Sequence, residues 1–70
     1  MPVSLIQPGE TATIQRIGGT DEARQQLAEI GFVVGEDVTM VSNNGGNVIL
    51  QVKDCRVALD RKMASRVIVA

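Results

Sequence analysis

The sequence predicts a mainly β fold with short helices, and three observations carry the prediction. β-Branched residues concentrate in the second half of the chain, a composition that favours sheet. The run Thr11-Ala-Thr-Ile-Gln-Arg-Ile17 alternates apolar and polar side chains, as a half-buried strand does. Only one stretch repeats its apolar residues at helical spacing, at Ala23, Leu27 and Ile30. With 70 residues and 44% hydrophobic content, the chain is one small domain over residues 1–70 in which every large apolar side chain matters to the core.

The first strand lies between two turn signals, Pro8-Gly9-Glu10 and Gly18-Gly19. Thr20 then stands as the N-cap of a helix from Asp21 to Ile30, with Asp21 and Glu22 in the first turn where negative charge complements the helix dipole. The helix packs by one side. Its apolar stripe is Ala23, Leu27 and Ile30, while Glu22, Arg24, Gln25, Gln26 and Glu29 face water.

Gly31 follows the stripe, at the position where a helix commonly ends in a left-handed conformation that disfavours a residue with a Cβ. Gly35 reads as a second hinge, which makes Phe32-Val33-Val34 an apolar plug between helix and strand. Phe32 is expected in the core. Val33, alternating with it, is expected to point toward solvent or a partner. At least one side chain of the plug should be exposed.

Strands follow at Val38 to Ser42 and Val48 to Val52, joined by the loop Asn43-Asn-Gly-Gly-Asn47, whose residues tolerate positive φ. Lys53-Asp54 marks a tight turn into Cys55 to Leu59, with Val57 and Leu59 on one face and Arg56 and Ala58 on the other. Asp60 caps a short helix from Arg61 to Arg66, and Val67 to Val69 closes the chain as a last strand. Five short strands in this order describe a small, partly open barrel of the SH3-like kind, which disposes of most strand edges. An OB-like barrel ranks second, because it needs longer strands and a helix later in the order.

Composition excludes several function classes. The formal net charge of −1 provides no field for a nucleic-acid backbone, and Phe32 as the only aromatic provides no base-stacking platform. Without Tyr or Trp there is no aromatic groove for proline-rich peptides. Cys55 is the single cysteine and histidine is absent, which fits a reducing cytoplasmic setting. No apolar stretch approaches a membrane span, and Met1 to Ile6 lacks a secretory signal pattern.

Catalysis and metal binding have little to build on. Activation of Cys55 would have to come from a lysine, an arginine or a carboxylate, and its place at a strand start suits a small structural residue. The carboxylates Asp21, Glu22, Glu29, Glu36 and Asp37 are explained by capping, turns or solvation. Transition metals prefer nitrogen or sulfur donors; one thiol and no imidazole predict no dedicated metal site, and no cofactor. Glu36-Asp37 offers at most weak binding.

The order of signals carries a family resemblance. Pro8-Gly9-Glu10, then Arg24-x-x-Leu27-x-x-Ile30-Gly31-Phe32-Val33-x-Gly35-x-x-Val38, then Val57-Ala-Leu59-x-x-x-x-Ala64 and the closing aliphatics, resembles the FeoA family of small cytosolic accessory proteins of bacterial ferrous iron transport. The resemblance covers about positions 5 to 69. It implies an SH3-like barrel, no catalysis, and action on the membrane transporter FeoB through its cytosolic part. Related domains occur in metal-dependent repressors, so a free-standing regulator of such a transcription factor is the alternative. Val34 stands where many members have proline, and Asn43 to Asn47 lacks the proline and aspartate common there.

Protein contact is the remaining function class. The candidate contact residues are Val33 and Val34 in the plug, beside the turn glycines Gly31 and Gly35. Arg56, Lys62 and Arg66 are expected to form a modest basic face near the last helical turn.

Overall fold

Alternation along the third strand shows how the sheet is built: Val48, Leu50 and Val52 are buried, while Ile49 and Gln51 between them are partly exposed. The computed structural model describes all 70 residues. Its strands are β1 (Thr11–Ile17), β2 (Asp37–Asn43), β3 (Asn47–Val52), β4 (Cys55–Asp60) and β5 (Val67–Val69). The helices are α1 (Asp21–Ile30) and α2 (Arg61–Ala64), preceded by a 3-10 turn at Val3–Leu5.

The five strands form one antiparallel sheet in the order β4-β3-β2-β1-β5. β3 is paired on both sides along its length, from Val38↔Val52 to Asn43↔Val48 with β2 and from Asn47↔Asp60 to Val52↔Cys55 with β4. β1 is divided. Thr11, Ala12 and Thr13 pair with β2, whereas Ile14, Arg16 and Ile17 pair with β5 across a register shift between Ile14 and Arg16. A bulge of this kind bends a strand and increases its twist, so the sheet curls into the partly open, SH3-like barrel.

Phe32, Ile14, Leu27, Met40 and Leu50 are the largest fully buried side chains, packed with Val3, Val38, Val48, Val52, Val67 and Val69. Each such burial contributes roughly 1.5–3 kcal/mol, a large share of the stability of a small domain. No buried side-chain nitrogen or oxygen lacks a hydrogen-bond partner.

The structure corrects four expectations. Ile30 is 39% exposed rather than part of the buried stripe, because the chain turns at Gly31 and Phe32 takes the core position that another helical turn would have given it. α2 ends at Ala64 rather than Arg66; the Arg66 carbonyl instead accepts the Gly18 amide at 2.7 Å, which begins the β1–β5 pairing. The β2–β3 loop is shorter than expected, since Asn43 and Asn47 belong to the strands. The 3-10 turn at Val3–Leu5, which buries Val3, has no counterpart among the expected elements.

Candidate functional site

The site is built where the β1–β2 ladder stops. After Thr13 the neighbour of β1 is no longer β2 but the turn that follows the plug: the Ile14 amide donates to the Glu36 carbonyl and the Gly35 amide to the Ile14 carbonyl, both at 2.9 Å. Beyond them α1, β1 and the plug diverge, leaving an open cleft of about 340 Å³.

The end of α1 sets one wall. The Gly31 amide donates to the Ala28 carbonyl at 3.1 Å and the Phe32 amide to the Leu27 carbonyl at 3.0 Å, the paired bonds of a Schellman motif. Gly31 has φ +124°, in the region that disfavours a Cβ. Leu27 and Phe32 are both fully buried and form the apolar contact that accompanies this motif. Thr20 fixes the other end of the helix, its side-chain oxygen accepting the Ala23 amide at 3.2 Å.

The cleft is lined by Ala28, Ile17, Val33 and Val34, over Phe32, which is fully buried beneath them. Val33 is half-buried, so it lines the cleft rather than projecting from it. Val34 is the exposed member of the plug, at 65%. Gly35, with φ +94°, returns the chain toward β2.

Two cations border this apolar lining. Arg24 on α1 is held by Asp21 at 2.8 Å, an exposed pair of the kind that contributes little stability. Arg16 is exposed and makes no side-chain hydrogen bond or ion pair within the chain. The bulge brings Gln15, Arg16 and Ile17 together to the cleft, although strict alternation would have sent neighbours to opposite faces. Sequence reading missed Arg16 and Arg24 as site residues for this reason: a bulge has no clear signature in one sequence, and Arg24 reads only as the polar face of a helix.

The expected basic face is not assembled. Arg56 lies at the start of β4, with Nε donating to Gln51 Oε1 at 3.3 Å, about five residues before α2 or roughly 16 Å along the strand. Lys62 is exposed on α2. Arg66 folds back toward the Met63 sulfur at 3.7 Å, and its side chain covers Gly19, where an added Cβ would meet Arg66 Cδ at 2.9 Å. Arg56 and Arg66 are therefore engaged by different neighbours.

The cleft brings together no nucleophile with a base. No cluster of three or more His, Cys, Asp or Glu side chains is placed to hold a metal ion. Asp37 Oδ1 accepts from Thr13 Oγ1 at 2.8 Å, and Glu36 lies 3.9 Å from the Lys53 ammonium. What the cleft can do is seat an aliphatic side chain on Ile17, Val33 and Ala28 while its guanidinium groups pair with a neighbouring carboxylate. No helix of the protein is long and apolar enough to cross a membrane.

The chain resembles known proteins over its whole length. It is 26% identical over 68 residues to a protein named as an Fe(2+) transport protein A from Methanocaldococcus jannaschii, covering 97% of this chain and 83% of the relative. A crystal structure of an iron uptake regulatory protein, FeoA, superposes with a TM-score of 0.92 at 28% identity, covering 99% of this chain and 93% of that one. The zinc complex of Stenotrophomonas maltophilia FeoA, described as an SH3 domain protein, gives 0.89 at 32% identity, with 100% of this chain and 89% of that chain covered. The family model of the FeoA domain matches residues 1–70, and the chain belongs to the FeoA family of ferrous iron transport proteins.

Proposed function

We propose that this protein is a non-enzymatic cytoplasmic accessory and regulatory component of ferrous iron uptake that binds the cytosolic part of an FeoB-type transporter, with the α1–plug cleft as its contact surface. Membership of the FeoA family supports the role in iron transport. The observation that carries the contact surface is the cleft itself: an exposed valine, an apolar lining and an unpaired arginine converge at one place. Exposed apolar surface beside unpaired charge is a common signature of protein contact. Val33 and Val34 are the contact residues in this reading, joined by Arg16 and Arg24. The basic residues Arg56, Lys62 and Arg66 drop to a lesser role because they do not converge.

A pull-down from extract of the source cells, using the tagged intact chain, tests the partner. Recovery of a membrane transporter with a GTP-binding cytosolic domain is the expected result. Recovery of a DNA-binding metal regulator in its place would favour the repressor-type alternative and overturn this reading.

A further inference from the structure

The sheet has two outer strands, and only one is uncovered. The outer side of β5 is closed by the N-terminus of the chain: Pro2 bridges Ile68, the Met1 ammonium donates to the Val69 carbonyl at 2.9 Å, and the Val69 amide donates to the Met1 carbonyl at 2.7 Å. β4 has β3 on one side and no strand on the other.

The hydrogen-bond phase of β4 identifies what that edge offers. Val52 and Cys55 close a two-residue turn, and the Arg61 amide donates to the Gly46 carbonyl at 3.0 Å in continuation of the same ladder. Antiparallel pairs alternate between bonded and non-bonded, so the bonds to β3 fall on Cys55, Val57, Leu59 and Arg61. Arg56 and Ala58 direct their amides and carbonyls outward, and Asp60 its amide; the Asp60 carbonyl opens α2 as its N-cap, and its Oδ1 accepts the Met63 amide at 2.7 Å while leaving the other carboxylate oxygen open to a cation.

Charges on an edge strand ordinarily discourage pairing, but here their signs are self-complementary. The segment Arg56-Val57-Ala58-Leu59-Asp60 reads as cation, aliphatic, small, aliphatic, anion. We propose that β4 pairs antiparallel with β4 of a second copy about a twofold axis through Ala58, joining two barrels through one continuous sheet. In that register Arg56 stands opposite Asp60 of the second copy, and the converse pair is made by symmetry. On the other face half-buried Val57 stands opposite Leu59 of the second copy, so both faces match. Ala58 meets its own copy and leaves room for close approach.

Other registers are worse. A shift of two residues loses both charge pairs while keeping the hydrogen-bond phase. Centring the axis on Arg56 or on Asp60 sets like charges opposite one another. A shift of one residue puts the outward groups out of phase. One strand pair is a small interface, at the low end of the range for specific contacts, so association is weak. The inference does not depend on the docking surface proposed above, which lies at the α1–plug cleft.

Sedimentation equilibrium of the intact chain from about 10 μM to 1 mM tests it, together with amide shifts recorded across the same series. The expected result is a monomer–dimer equilibrium with concentration-dependent shifts at Arg56, Ala58 and Asp60. Ala58→Pro removes an outward amide that the monomer does not use and should weaken association at least tenfold. Arg56→Asp, a surface change without that backbone constraint, should weaken it at least fivefold even if the proline variant fails to fold. A chain that stays monomeric at 1 mM, or a dimer unaffected by Arg56→Asp, would overturn the proposal.

Discussion

The β2–β3–β4 meander and the α1–plug–β1 side are held together by different means. In the meander β3 is paired on both edges, its connections are short, and alternate side chains enter the core. On the other side β1 leaves β2 after Thr13. There β1 is held by two backbone bonds from Ile14 to Gly35 and Glu36, just past the plug, and by the burial of Phe32. The first region is a platform secured by many repeated interactions. The second is a site secured by a few residues, and the cleft opens where regular pairing ends. Single substitutions should therefore act more severely on the second side than local strand content alone would suggest.

The largest expected effect is at Phe32. Phe32→Ala removes the buried side chain beneath the cleft, which shares the core with Leu27, and should cost about 3–5 kcal/mol, most of the stability expected of a domain this small. Leu50→Ala on the platform is the matching control, at about 2–5 kcal/mol. Urea midpoints measured side by side would break the comparison if the Leu50 variant proved the more damaging.

Gly31→Val comes next, at roughly 1–3 kcal/mol. A Cβ there would meet Val52 Cγ1 at 3.6 Å, an ordinary contact, so the first carbon costs through φ, and the γ carbons of valine add contact with Val52. Gly45 has φ +85° in the open β2–β3 loop, and Gly45→Val should cost less because a short exposed loop can redistribute its dihedrals. Equal losses at the two glycines would contradict the distinction.

The smallest stability effect concerns the helix cap. Thr20→Ala should cost about 1 kcal/mol. Hydrogen exchange sharpens the comparison: α1 amides should exchange faster in this variant while β3 amides keep their protection relative to the global stability. Uniform acceleration would mean that the two regions open as one.

Much of the fold was legible because its signals are local. Alternation fixed β1, the Asn- and Gly-rich loop returned β2 into β3, Thr20 and Gly31 bracketed α1, and the pair Lys53-Asp54 placed the β3–β4 turn. The misreadings arose where a distant partner decides. Ile30 fits the helical stripe, yet the turn at Gly31 gives its place in the core to Phe32. Arg66 fits the end of α2, yet Gly18 claims its carbonyl. The candidate site was legible in part: Val33 and Val34 were indicated by the two glycines around the plug. Arg16 was not, because its place in the cleft depends on a bulge set by β5 and on the distant plug Phe32 to Val34.

The most direct test of the docking surface is a paired measurement on Val34→Asp, giving its thermal midpoint and its affinity for the purified cytosolic region of the FeoB-type transporter. Val34 is 65% exposed, and substitutions at such positions change stability by about 0.5 kcal/mol or less. A carboxylate forced into an apolar contact without a partner costs several kcal/mol. The expected result is an unchanged midpoint with affinity reduced at least tenfold. Full affinity in a variant that remains folded would contradict the assignment of the cleft as the contact surface.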